Sequence, residues 1–335
     1  MTRAHGFASA ARFRAPVFVL LLAAAPFFIG NDYMLHVLVL IALYSILAES
    51  LNVIVGFTGQ FSLGHAGFWA IGAYVSALLM IRLGMSFWSA AVVSMAAGYV
   101  MGVLLGLPAM RLKGDYLCIV TLGFGEIVRI FATNLEVTRG PMGIPGIPMP
   151  EIGGFSFDSE RSMYYLCWAS ALATMYVAAK MRHSRFGRAL MSVRDDELAA
   201  ASLGVNMTYY KVHAFGLGGM FAALAGALYA SWTTFISPDV FQFSDSANIF
   251  CMMILGGLGT IAGPVLGAFL LAGLPEVLRQ FAEFRLIALG LLMIILMIYR
   301  PGGILGSYDT VGAVKKVRRR KIDREVQGTN VTQNK

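Results

Sequence analysis

Long apolar runs along the chain are separated by short clusters of charge, glycine and proline. The runs are Ala15–Gly30, Met34–Val55, Phe61–Ile81, Phe87–Leu107, Tyr116–Phe131, Met163–Met181, Val212–Trp232 and Arg285–Tyr299. Most approach the ~20 residues that an α-helix needs to cross a bilayer, and Tyr116–Phe131 is the least well marked. A further apolar stretch, Ala247–Ala272, is interrupted by GGLGTIAGP (Gly256–Pro264), which reads as a re-entrant hairpin or two short spans. The pattern predicts an all-α polytopic membrane protein of about 8–10 transmembrane helices, including broken or re-entrant Gly-rich segments. The first run follows a basic start and so resembles a cleaved leader. It is read as a span, because Pro26 would follow a cut after Ala23-Ala24-Ala25 and further spans come at once.

Composition agrees: 58% of the residues are hydrophobic and 13% charged, against ~25% charged in soluble domains. The net charge of +8 does not point to nucleic acid, because the basic residues flank apolar runs. They lie at Arg3, Arg12 and Arg14, at Arg111 and Lys113, between Lys180 and Arg194, and in KKVRRRKIDR (Lys315–Arg324). Cytoplasmic loops carry such an excess. The implied layout is a cytoplasmic N-terminus (1–14), a transmembrane region (15–306) with a cytoplasmic loop at 182–211, and a basic cytoplasmic tail (307–335) held near anionic lipid. The Gly/Pro-rich segment Leu135–Ser162 falls outside. Cys118, Cys167 and Cys251 lie apart in apolar stretches and give neither a disulfide framework nor a metal-binding spacing.

GFTGQFSLGHAGFWAIGAY (Gly56–Tyr74) sets glycines beside Thr58, Gln60, Ser62 and His65 inside an apolar run. A broken helix survives at membrane depth only where protein or a wet cavity surrounds it. Gly56, Gly59 and Gly64 permit such a break. A new helix would then start near Ser62, with Ser62 or Thr58 capping its free N–H groups. Its partial positive charge suits a polar or anionic solute. The second cluster, with Gly256, Gly257 and Gly259, is the corresponding break in the other half, an arrangement expected of an internal repeat. Gly67, Gly72 and Ala73 read as close helix packing. Glu49 and Glu126 fall in or near spans; Glu126 and Arg129, three apart, share a helical face and neutralise each other.

In the loop RHSRFGRALMSVRDDELAAASLGVNMTYYKVHAF (Arg182–Phe215), Asp195 or Asp196 caps a short helix, with Asp196 and Glu197 in its first turn. Ala199–Ala201 propagate it and Gly204 stops it. A helix so short is marginal in water and lacks the broad apolar face of a membrane-surface helix. It fits a groove on a protein partner.

Three segments, LNVIVGFTGQFSLGHAGFWAIGAY, SRFGRALMSVRDDELAAASLGV and GGLGTIAGPVLGAFLL, in this order and followed by RPGGILG, resemble the permease subunits of ATP-driven importers for branched-chain amino acids, the LivM type. The resemblance runs from about Val39 to Gly306. It implies that the loop docks on an ATPase through Arg194, Asp195, Asp196, Glu197, Ala199, Ala200 and Gly204. The permease pattern of Glu-Ala-Ala, three residues and Gly falls on Ala199, Ala200 and Gly204, with Glu197 one place early. It further implies a second, LivH-like permease subunit, two ATPase subunits that hydrolyse the ATP, an extracytoplasmic solute-binding protein, a bacterial inner-membrane location and no cofactor in this chain. Related permeases of the same kind carry urea, amides or small aromatic acids. The expected solute pathway is Thr58, Gly59, Gln60, Ser62, His65, Gly256, Gly257 and Gly259. The chain contains no GxxxxGK[ST], HExxH or GxSxG. Ser62 and His65 lack a third partner for hydrolysis, so no catalytic residue is expected. A carrier driven by H⁺ or Na⁺ through Glu49 or Glu126 is the alternative of a different class.

Overall fold

Asn31, Ser159 and Asn206 each stand just before a long helix and accept a hydrogen bond from an N–H of its first turn: Tyr33 N (3.0 Å), Ser162 N (3.2 Å) and Tyr209 N (3.1 Å). Such caps satisfy donors that have no partner within the helix. In a computed structural model of the protein, the described residues are 22–27, 30–110, 112, 114–277, 290–291, 294, 298–299 and 302–306. Most of Ala15–Gly30 and Arg285–Tyr299, and the expected terminal regions 1–14 and 307–335, lie outside them. The long helices are α1 (Asp32–Thr58), α2 (His65–Leu83), α3 (Phe87–Ala109), α4 (Asp115–Asn134), α5 (Glu160–His183) and α8 (Met207–Thr233). Between the last two lie α6 (Arg185–Asp195) and α7 (Glu197–Ser202). After them come α9 (Phe243–Gly256) and α10 (Gly263–Val277). All except α5, α6, α7, α9 and α10 are both long and apolar enough to cross a bilayer. The short run Tyr116–Phe131 becomes a helix of 20 residues, about 30 Å long.

The ends of the bundle are fixed by polar contacts. At one end Glu160 accepts from Trp232 Nε1 (3.2 Å) and meets His36 Nδ1 (3.1 Å), joining α5, α8 and α1. Nearby, strand β1 (Ile144–Pro145) of the Gly/Pro-rich segment pairs antiparallel with Phe235–Ile236, the strand after α8. The charge pattern makes this the outer end. At the other, inner end lies the basic loop of α6 and α7.

Two units of the same design run in opposite directions. Helix α1 descends to the inner end and closes at Gly59 in the left-handed region (φ 73°). Residues 59–64 then climb back without helical structure, and α2 starts at His65. Helix α8 ascends to the outer end and closes at Thr234, also left-handed (φ 54°). Residues 234–242 return inward with only the short strand and a single 3₁₀ turn, and α9 starts at Phe243. Both long helices have 27 residues. Both stretches share a helix–break–helix order, and the counterpart of the first break is the connector after α8 rather than Gly256–Pro264. GGLGTIAGP is the inner turn of the antiparallel α9–α10 hairpin, where Gly256 packs on Gly263 and Gly267 on Met252.

Small residues let the helices meet at backbone distance, as membrane interiors favour. On α3, Gly98, Gly102 and Gly106 face Gly219, Phe215 and Val212 of α8, and a Cβ at Gly98 or Gly102 would strike the facing carbonyl. Gly72 and Gly226 interlock α2 with α8 in the same way, Gly67 packs on Gly125 of α4, and Ala73 is fully buried. These three α2 positions play the packing role read from the sequence. Gly102→Val should cost ~1–3 kcal/mol by overpacking and lower the melting temperature of the detergent-solubilised protein, read by loss of the monodisperse chromatographic peak. Val100→Ala, on the exposed side of α3, should leave it unchanged.

Candidate functional site

His65 Nε2 lies 2.6 Å from Ser50 Oγ. Ser50 sits eight residues before the end of α1, so α2 begins about 12 Å inside the inner end of the bundle. Its start is not capped by Ser62 or Thr58, as the sequence pattern predicts. Thr58 is still helical and donates to Ile54 O (2.5 Å) and Gln60 Oε1 (3.2 Å), while Ser62 Oγ is buried with no hydrogen-bond partner among the described residues. The N-cap position is Gly64, which offers no side chain. The caps come instead from other elements: Leu63 N donates to Thr121 Oγ1 of α4 (3.1 Å) and Ala66 N to Ser246 Oγ of α9 (2.9 Å). Ser246 is itself in the first turn of α9. Two helix starts, one pointing outward and one inward, thus meet at the same depth and direct their partial positive charge to one place.

Thr58, Gln60, Ser62 and His65 are all buried inside the chain. The polar side chains exposed at this depth are others. Gln242, Ser244 and Asn248 of the α9 start are exposed, and the ion pair of Glu126 with Arg129 (2.8 Å) lies nearby on α4 with each side chain about one-third exposed. A narrow cleft lined by Leu63, Ala66, Glu126, Gln242 and Ser246 joins them. Polar groups at membrane depth are costly in lipid, so this face abuts water or protein. The periodicity of Ala247–Ala272 hides it, because Gln242 and Ser244 precede the apolar run.

Gly256, Gly257 and Gly259 lie away from this face, at the inner end. Asn52 of α1 acts on their turn as a peptide group would, accepting from Gly259 N (2.8 Å) and donating to Thr260 O (2.8 Å). Residues 302–306 add to the same corner through Ile304 N to Leu255 O (2.9 Å) and Leu305 N to Gly256 O (3.0 Å). Arg194, from the loop, donates to Gly56 O (2.7 Å), and side chains at Gly59 or Gly259 would press against it. The two glycine clusters are therefore joined, through α1 and Arg194, at the inner end and not at mid-depth. Glu49 is fully buried, with Oε2 3.5 Å from Asn52 Nδ2 and Oε1 unpartnered among the described residues.

The sequence pattern of the branched-chain amino acid transport system / permease component family matches residues 33–299. The chain belongs to this permease family. It is 40% identical over 291 residues to the high-affinity branched-chain amino acid transport system permease protein LivM of Salmonella typhimurium, covering 78% of this chain and 68% of that one. To LivM of Escherichia coli K12 it is 38% identical over 313 residues, covering 86% and 74%. To the LivH permease protein of the same organism it is 25% identical over 283 residues, covering 78% and 91%. No solved structure matches the chain. It is thus a multi-pass membrane permease and a transport subunit.

In the permease's inner loop the structure refines the expected helix. Asp196, not Asp195, is the cap, accepting from Leu198 N (2.9 Å) and Ala199 N (3.0 Å). Asp195 ends the preceding helix α6, whose Leu190 packs with Val53, Phe57 and Ala214 under the bundle. Gly204 closes α7 in the left-handed region (φ 82°), and Val205 N reaches back to Ala200 O (3.1 Å), a Schellman ending. Ala200 is buried and Glu197 pairs with Lys211 Nζ (2.5 Å), so both tie α7 to the membrane domain. Ala199 and Gly204 are exposed, with Leu198 (81%) and Leu203 (83%) beside them. These two leucines were not singled out in the sequence; they flank the buried Ala200, Leu198 in the first turn of α7 and Leu203 at its C-cap.

Ser246→Ala should leave the buried N–H of Ala66 unsatisfied, at a cost of ~1–3 kcal/mol. Thermal unfolding in detergent should shift accordingly, whereas Ser244→Ala, on the exposed side, should not.

Proposed function

We propose that this permease forms one half of the translocation pathway of an ATP-driven importer for branched-chain or other small amino acids in the bacterial inner membrane. Urea, amides or small aromatic acids are the alternative cargo. The helix starts of α2 and α9, with Gln242, Ser244 and Asn248 beside them, form the solute-facing side, which a second, LivH-like permease subunit covers. Thr58, Gln60, Ser62 and His65 support that side from behind. An extracytoplasmic binding protein delivers the solute to the outer end. ATP is hydrolysed by two partner subunits; this chain, which lacks a P-loop motif, holds no nucleotide and no cofactor.

The observation that carries this reading is the exposed apolar pair Leu198 and Leu203 on a short capped helix at the inner end. Nothing among the described residues covers it, and burial of two leucines against a partner is worth ~1.5–3 kcal/mol each. An ATPase groove is the occupant. Movement there passes to the membrane domain through Arg194, which holds Gly56 O while bearing on Gly259. A self-contained ion-coupled carrier is less well supported, because Glu126 is already paired with Arg129 and Glu49 is fully buried inside the chain, off the exposed polar face.

The test is reconstitution with and without the partner subunits. The permease alone in liposomes should not accumulate amino acid; the assembled complex with ATP and binding protein should. Leu198→Asp or Leu203→Asp should abolish copurification of the ATPase while the permease still reaches the membrane, and unaltered copurification would remove the docking assignment. Arg194→Ala should keep the ATPase bound but cut uptake per ATP hydrolysed by about tenfold, the loss of one charge-assisted hydrogen bond. Arg194→Lys should recover part of it.

A further inference from the structure

A groove of about 380 Å³ opens at the inner end of the bundle, where α5 ends and α6 begins. Helix α3 contributes Tyr99 to it, α5 contributes Val177, Lys180 and Met181, and α8 contributes His213 and Leu217. None of these residues belongs to α4 or α9, which carry the exposed polar face, or to α7. The Tyr99 ring lies against Gly216, where a Cβ would meet it at 2.8 Å, and its centroid is 6.3 Å from that of His213. His213 and Leu217 fall within the first three turns of α8, so the groove climbs from the inner rim into the membrane domain. Val177 in its wall, with Tyr176 beside it on α5 and Val100 next to Tyr99 on α3, is a large nonpolar side chain that no described residue covers. Such side chains on membrane helices abut lipid tails, which are as apolar as they are.

At the rim the groove turns cationic. Lys180 stands in the last turn of α5, exposed, with its Nζ 5.5 Å from the centroid of the Tyr176 ring. It forms no ion pair among the described residues. His213 Nδ1 donates to Tyr209 O (2.7 Å), which leaves Nε2 as the ring nitrogen for a ligand. Arg185 is exposed at the start of α6, and no Asp or Glu lines the groove. A nonpolar track that ends in unopposed cations at the cytoplasmic face matches a molecule with an acyl chain and an anionic head, and basic pockets between helices on that side recognise such headgroups. We propose that this groove binds an anionic phospholipid of the inner leaflet. Its phosphate sits at Lys180 and His213, and one acyl chain follows Val177, Tyr99 and Leu217. The bound lipid joins α3 and α8 to the junction of α5 and α6, the root of the loop that carries Arg194. The site does not depend on the importer reading.

The experiment uses the full chain, purified in detergent and stripped of lipid. It is titrated with phosphatidylglycerol or with phosphatidylcholine, and bound lipid is read by native mass spectrometry. Phosphatidylglycerol should bind the more tightly, and an excess of inorganic phosphate should not displace it. Its affinity should fall about fivefold in Lys180→Gln, the worth of one lysine beside an anionic headgroup, and Lys180→Arg should keep it. Val177→Trp fills the track and leaves every charge in place; it should lose the same lipid to a similar extent. Both positions are exposed, so each variant should still elute as a single monodisperse peak. Equal affinity for the two lipids overturns the proposal, and displacement by phosphate alone reduces the site to a plain anion site and overturns it too. Unchanged binding in Val177→Trp makes Lys180 one more basic surface residue. Unchanged binding in Lys180→Gln sinks the proposal by itself, whether or not Val177→Trp folds.

Discussion

A backbone N–H at membrane depth must find an acceptor, and that requirement organises this permease. Residues 59–64 and 234–242 cross part of the bilayer without helical bonding, and each leads to a helix start whose first N–H groups have no partner in their own helix. The hydroxyls of Thr121 and Ser246 make up the shortfall at the start of α2, and the amide of Asn52 does the same for the α9–α10 turn. Each of these side chains comes from a different helix than the backbone it satisfies. The breaks are thus stable only in the assembled bundle, and α1, α4 and α9 cannot separate without leaving buried donors unmet.

Much of the bundle was legible in the apolar pattern. Met34–Val55, Phe87–Leu107 and Val212–Trp232 lie inside observed helices, because burial at membrane depth leaves a run of nonpolar residues with no competing signal. The first break was legible from Gly59, whose left-handed backbone favours glycine; Gly56 stays helical in α1 and instead lets the Gly259 backbone approach. The second was not. Its left-handed residue is Thr234, a residue that gives no such cue, and the connector Ser237–Gln242 resembles an ordinary surface loop. The eye goes to GGLGTIAGP instead, whose glycines serve a tight hairpin. The helix cap was misplaced for a related reason: local spacing points to Ser62, but the hydroxyl that does the work, Ser246, is remote in sequence and near in space.

The inner loop shows how two roles share seven residues, Glu197–Leu203. One side of α7 is fastened to the domain by Ala200 and by Glu197 with Lys211; the other presents Leu198 and Leu203. The loop composition marks a short capped helix, proposed here to dock, but which residues hold it and which face outward depends on the rotation of α7 about its axis. That rotation is fixed by Lys211, on a different helix. Arg194 extends the same logic inward. In the proposed coupling, its planar guanidinium on Gly56 O would carry both push and pull, which a purely apolar contact does not.

The α3–α8 seam sets the kind of motion open to the whole machine. Its backbones are meshed like two gear racks, with carbonyl against glycine at successive turns. Sliding one rack along the other by a fraction of a tooth would jam a carbonyl into a main chain. The pair therefore swings as a single stave, and any change of access from one side of the bilayer to the other must be taken up elsewhere, where shorter helices pivot about their connectors.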